Sequence, residues 1–122
     1  YYSGDTGYAG HFKAIREKLG TPELALIKVG AYGDTWMDIH MNPESAVTAF
    51  QDLGDTTLLP VHWGTFNLAY HDWSAPVERT LAAAKTKDVQ VVTPRVGEKF
   101  EFGQAFENRP WFRPPTVQPT GR

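Results

Sequence analysis

The chain holds 122 residues with 41% apolar and 21% charged side chains, enough for one domain with a real core. A formal charge of −2 without a basic stripe gives no electrostatic reason to expect nucleic acid. The absence of cysteine excludes disulfides, thiolate metal sites and a cysteine nucleophile, and no apolar run approaches the roughly 20 residues that cross a bilayer.

Tyr1–Ser3 is strand-like and reads as a strand already under way, with no start methionine or signal-like segment before it. The expectation is therefore the later part of a larger domain. Phe12, Ile15 and Leu19 follow at helical spacing, and Gly20 and Pro22 stop that helix. Leu24–Val29 is a buried strand. Asn42-Pro43-Glu44 is a helix start: an N-cap, a proline at the first helical position and an acid in the first turn. Val47, Phe50 and Leu53 form its apolar stripe, and Gly54 ends it. Thr57–Val61 is the next strand. Ser74 opens a helix carrying Val77, Leu81 and Ala84, and Val89–Val92 is a further strand. The β-α-β-α-β-α-β order predicts a layered α/β architecture.

Five of the nine prolines lie beyond Thr93, so regular structure there should be sparse. Lys99–Phe102 is a candidate edge strand. Phe106, Trp111 and Phe112 are candidates to pin the tail, and Thr116–Arg122 is expected to be loose.

Chemistry gathers where apolar runs meet turns. Asp5 follows a strand in Gly4-Asp5-Thr6-Gly7, where the glycines allow a tight turn that aims a carboxylate off the strand end. It reads as a metal ligand or as an ordinary turn aspartate. His62 closes the run Leu58-Leu59-Pro60-Val61 and is flanked by Trp63 and Gly64. A neutral imidazole ligand and a histidine bonded to a backbone carbonyl both fit that place. His40 stands just before the helix start at Asn42, where an anion is favoured and an imidazolium is not. It reads as a donor to an anionic substrate or as a plain loop residue. His11 and His71 read as solvated. Walker, GxGxxG, HExxH and GxSxG motifs are absent.

Taken in order, Gly4-Asp5-Thr6-Gly7-Tyr8, Gly30-Ala31-Tyr32, Trp36, His40-Met41-Asn42-Pro43-Glu44 and Pro60-Val61-His62-Trp63-Gly64-Thr65-Phe66 resemble the second half of the metallo-β-lactamase fold. Within it they are most similar to the branch of N-acylphosphatidylethanolamine phospholipase D and its RomA-like relatives. The resemblance runs from Tyr1 to Glu98 and leaves 99–122 as a proline-rich tail. It implies half of a four-layer αββα sandwich: one mixed sheet with helices on one face. It implies two zinc ions in the intact parent, although His and carboxylate sites also take iron or manganese. Asp5 would bridge the metals, His62 would ligate one, and His40 would assist the reaction. The family's HxHxDH motif occurs nowhere in this chain. The partner so implied is an N-terminal half carrying it, and the activity implied for the whole is hydrolysis of a phosphodiester, with a small molecule or a phospholipid as substrate and a membrane surface left open as a partner. A different reading is a non-catalytic fragment or split subunit whose bare sheet face seeks a structural partner.

Overall fold

The computed structural model describes residues 1–114; the expected loose end at Thr116–Arg122 lies outside them. Three helices alternate with two strands: α1 (His11–Leu19), β1 (Ala25–Lys28), α2 (Pro43–Leu53), β2 (Leu58–Val61) and α3 (Ala75–Thr86). β1 and β2 pair in parallel, with Ala25 opposite Leu58 and Lys28 opposite Val61. Single parallel bridges extend the pair on both sides, Tyr2 to Leu26 and Leu58 to Val91. The strand-like start and the expected strand at Val89–Val92 are thus reduced to single bridges beside the two strands, in the order Tyr2, β1, β2, Val91. All described pairings are parallel, which corrects the expected mixed sheet for these residues. The reason lies in the connections, since each neighbouring pair of strands is joined through a helix and such crossovers return the chain in the same direction.

Alternation along the strands explains the layer. Ala25, Ile27, Leu58 and Pro60 are buried, while Leu26, Leu59 and Val61 remain half-buried. Ala25, Ile27 and Leu58 form one core with Phe12 of α1 and with Ala46, Val47, Phe50 and Leu53 of α2. The second helix sits between the other two. Its start forms as its sequence dictates: Asn42 Oδ1 accepts the Ser45 amide at 2.8 Å, Pro43 occupies the first turn and Gly54 closes the helix.

Lys99–Phe102 is not a strand; turns at Arg95–Glu98 and Glu101–Gln104 occupy that stretch. The sheet edge at Val91–Thr93 is instead covered by a side chain. Asn108 Nδ2 donates to the Val91 carbonyl at 2.7 Å, and Asn108 Oδ1 accepts the Thr93 amide at 2.7 Å. With its edge groups already paired, Val91–Thr93 has no ladder to offer a further strand. Trp111 and Phe112 do pin the tail, because Trp111 stacks on Trp63 with centroids 5.1 Å apart and donates from Nε1 to the Thr93 carbonyl. Phe106 packs edge-on against Phe100 instead.

Candidate metal site at the carboxyl edge of the sheet

Every parallel segment ends at the same edge, so the residues that follow them meet there. Asp5 leaves the segment that carries Tyr2, Gly30-Ala31 follow β1, and His62 follows β2. Asp5 Oδ1 and His62 Nε2 lie 3.5 Å apart, with Asp5 half exposed. His40 joins them from the loop before α2, its ring centroid 5.8 Å from that of His62 and 5.9 Å from Trp36. The three residues singled out in the sequence therefore converge. Among the described residues no group of three or more histidines or acids is disposed to hold a metal ion.

Close backbone packing makes the convergence. The Gly7 amide donates to the Asp38 carbonyl and the Met41 amide to the Thr6 carbonyl, lacing the Asp5 turn to the His40 loop. A Cβ at Gly7 would collide with the backbone of Asp38. The same device works after β1, where a Cβ at Gly30 would collide with the His62 carbonyl. His62 itself has φ +63°, a left-handed conformation that costs a non-glycine residue on the order of 1 kcal/mol or more and is held here by its surroundings.

Lys28 is the residue that sequence reasoning passed over. It closes β1 and is only 1% exposed, an unusual state for a lysine. Its Nζ donates to the Gly30 carbonyl at 2.6 Å and to the Met41 carbonyl at 3.4 Å, and its backbone amide donates to Ser3 Oγ. One side chain and its own amide thereby touch the segments that carry Asp5 and His40 and the turn packed on His62. Burial lowers the Lys28 pKa to about 8, with the Asp5 carboxylate pulling weakly the other way. His40 is also held below the usual histidine range, first by burial and then by the Lys28 charge. Both influences favour the neutral imidazole, against the pull of the Asp5 carboxylate, and among the described residues its buried Nδ1 has no hydrogen-bond partner.

His11 is exposed at the start of α1, as expected. His71 departs from expectation. It is partly buried, its Nε2 accepts the Ala31 amide at 3.1 Å, and its ring stacks on Tyr32. The local sequence carries no sign of this, since the partner lies 40 residues away.

The α/β layer and its strand-end edge place the chain among metallo-hydrolase folds, and residues 1–63 match the Beta-lactamase superfamily domain. The chain belongs to that superfamily. It is 47% identical over 116 residues to an uncharacterised protein of Mycobacterium tuberculosis, covering 93% of this chain and 31% of the relative. It is 34% identical over 109 residues to N-acyl-phosphatidylethanolamine-hydrolyzing phospholipase D 1 of Caenorhabditis elegans, covering 83% of this chain and 31% of that protein. Among solved structures it is similar to Igni18, a metallo hydrolase of Ignicoccus hospitalis, with a TM-score of 0.60, 26% identity and coverage of 82% of this chain and 40% of that one. The chain thus spans about a third of the length of these curated relatives.

The donor set fits part of a metal centre. Asp5 and His62 are close enough to reach one ion together, and their chemistries, carboxylate and imidazole, suit zinc, iron or manganese. Two donors are fewer than the three protein ligands typical of a catalytic zinc.

Proposed function

We propose that this chain supplies the C-terminal part of a binuclear metal-dependent hydrolase acting on a phosphodiester, with zinc as the metal and the remaining ligands in an HxHxDH-bearing segment that this chain does not contain. The observation that carries the reading is the meeting of Asp5 and His62 at the strand-end edge, 3.5 Å apart, with His40 beside them. When bound, a metal pair supplies a hydroxide nucleophile near neutral pH and offsets negative charge on the substrate. Asp5 would hold both metals and His62 one of them. Neutral His40 offers one N–H, which can donate to oxygen as negative charge develops there. Trp63, Phe66 and Leu68 line a cleft with His62. Phe66 and Leu68 are exposed, which suits a substrate with an apolar portion such as a phospholipid.

The test is metal analysis beside phosphodiesterase kinetics on the chain combined with a segment carrying HxHxDH. Asp5→Ala and His62→Ala should each lower metal content. His40→Ala should lower turnover about 10²-fold or more while metal content stays near normal. The isolated chain should bind zinc weakly and hydrolyse nothing at a useful rate. Stoichiometric tight binding of two zincs by the isolated chain, or unchanged metal content in both ligand variants, would overturn the reading.

A further inference from the structure

We propose that His71 is a positioning residue: a proton-sensitive latch that fixes the Gly30–Tyr32 turn and, through it, the backbone of His62. His71 sits at the far end of the irregular segment between β2 and α3 that begins with His62. Its Nε2 accepts the Ala31 N–H at 3.1 Å, and its Nδ1 lies 3.1 Å from the Asp72 carbonyl, a group that can only accept. The two contacts together define one neutral tautomer, with the proton on Nδ1 and the lone pair on Nε2. A proton added at Nε2 would set N–H against N–H, and the bond to Ala31 would be lost.

The turn that His71 holds needs holding. Ala31 adopts φ +55°, a left-handed conformation that is unfavourable for alanine. Gly30, its neighbour, lies so close to the His62 carbonyl that no Cβ fits between them. A displacement of this turn is therefore felt at His62. The rest of the latch is a stack. The His71 ring lies over Tyr32 with centroids 4.4 Å apart and planes 18° apart. The Arg79 guanidinium of α3 lies 4.7 Å from the Tyr32 centroid, and Arg79 is in turn paired through two nitrogens with Glu44 in the first turn of α2. The groups facing His71 are thus the Tyr32 ring, the Arg79 cation neutralised by Glu44, and the adjacent Asp72, whose backbone carbonyl accepts the hydrogen bond from the Nδ1 N–H. Among the described residues the one hydrogen-bond partner of Nε2 is the Ala31 amide.

The latch rests on hydrogen bonding and packing within this chain, so it stands or falls separately from metal binding. The experiment is amide hydrogen exchange and NMR titration of the metal-free chain. The protection factor of the Ala31 amide should fall at least tenfold on acidification, with the midpoint read from the His71 ring resonances. The Trp63 amide should show a step at that same midpoint. In His71→Gln, whose side-chain carbonyl accepts but does not protonate, Ala31 should keep its protection at every pH and the Trp63 step should vanish. In His71→Phe, which keeps the stack and removes the acceptor, Ala31 should be unprotected throughout. Ala31 protection indifferent to His71 ionisation in the wild type, protection retained in His71→Phe, or a Trp63 step that persists in His71→Gln would each overturn the proposal. The wild-type titration decides the matter even if a variant fails to fold.

Discussion

Replacing Lys28 with methionine should flatten the rise of stability with pH. The ammonium is buried at 1% exposure, and its pKa in the folded chain is about 8 against an ordinary 10.5. Between those values the unfolded chain binds more protons than the folded one, so stability rises with pH through that window and the gain is complete above it. The full difference amounts to about 3 kcal/mol, of which about 2 kcal/mol accrues between roughly pH 7 and roughly pH 9.5. At neutral pH the two effects of Lys28→Met oppose each other. The buried charge is gone, but the Gly30 and Met41 carbonyls lose their donor, at about 1–3 kcal/mol for each group left unpaired. The net change at pH 7 is therefore a poor test, and the slope against pH is a good one.

Urea unfolding of the wild type and of Lys28→Met across that range measures it. With a urea dependence of about 2 kcal/mol per molar, the wild-type midpoint should rise by about 1 M more than the variant's. Tyr1 and Tyr8, both with raised pKa, act in the opposite direction at higher pH, but they are present in both proteins and cancel in the difference. Lys28→Arg should also lack the rise, because guanidinium stays protonated throughout. Parallel pH curves for wild type and Lys28→Met would refute the reasoning, since they would mean that the ammonium escapes to water.

Gly30→Ala should cost about 3 kcal/mol, because its methyl group meets the rigid His62 carbonyl; the check is a urea midpoint beside the His62 chemical shift. Asn108→Ala should cost about 2–4 kcal/mol by unpairing Val91 and Thr93, and should raise self-association at the uncovered edge, measured by sedimentation. Asn42→Ala should lose about 1 kcal/mol of stability with α2 fraying at its start, read by amide exchange at Ser45.

The parts legible in the sequence are those with a short-range signature. The apolar runs and the Asn42-Pro43-Glu44 start gave strands and helices because periodicity and capping are local. Asp5, His40 and His62 each stand where an apolar run or a helix meets a turn, and parallel strands bring such places together; local sequence left each open between a site residue and an ordinary turn or loop residue, and the resemblance to a family singled them out. Lys28 was hidden inside an apolar run, where its charge reads as a surface position unless the Met41 and Gly30 carbonyls are seen folding over it. His71 and Asn108 were hidden for a related reason. Each makes its decisive bond to backbone groups distant in sequence, Ala31 for one and Val91 and Thr93 for the other, and side-chain bonds to remote backbone leave no pattern along the chain.

The features clustered at the strand-end edge have a common direction. In open α/β sheets the carboxyl ends of the strands are where ligands are bound, because there the loops are free of the ladder yet anchored by it. Here that edge holds a half-exposed carboxylate against an imidazole, a histidine in a left-handed conformation, a histidine whose buried nitrogen has no partner among the described residues, and a lysine whose charge is kept out of water. The last three of these work against stability when taken alone. The opposite layer, α1 to α3 on Ala25, Ile27 and Leu58, is apolar and conventional by comparison. Left-handed residues also follow α2 and α3, at Asp55 and Asp88, but among the described residues the strand-end edge alone combines one with buried polar groups and a carboxylate, and that combination supports the metal-site proposal. The Lys28 variants test this through local order rather than through net stability: with the Lys28 ammonium gone from the Gly30 and Met41 carbonyls, amide protection in the Asp5, His40 and His62 segments should decline while α1 and α2 keep theirs.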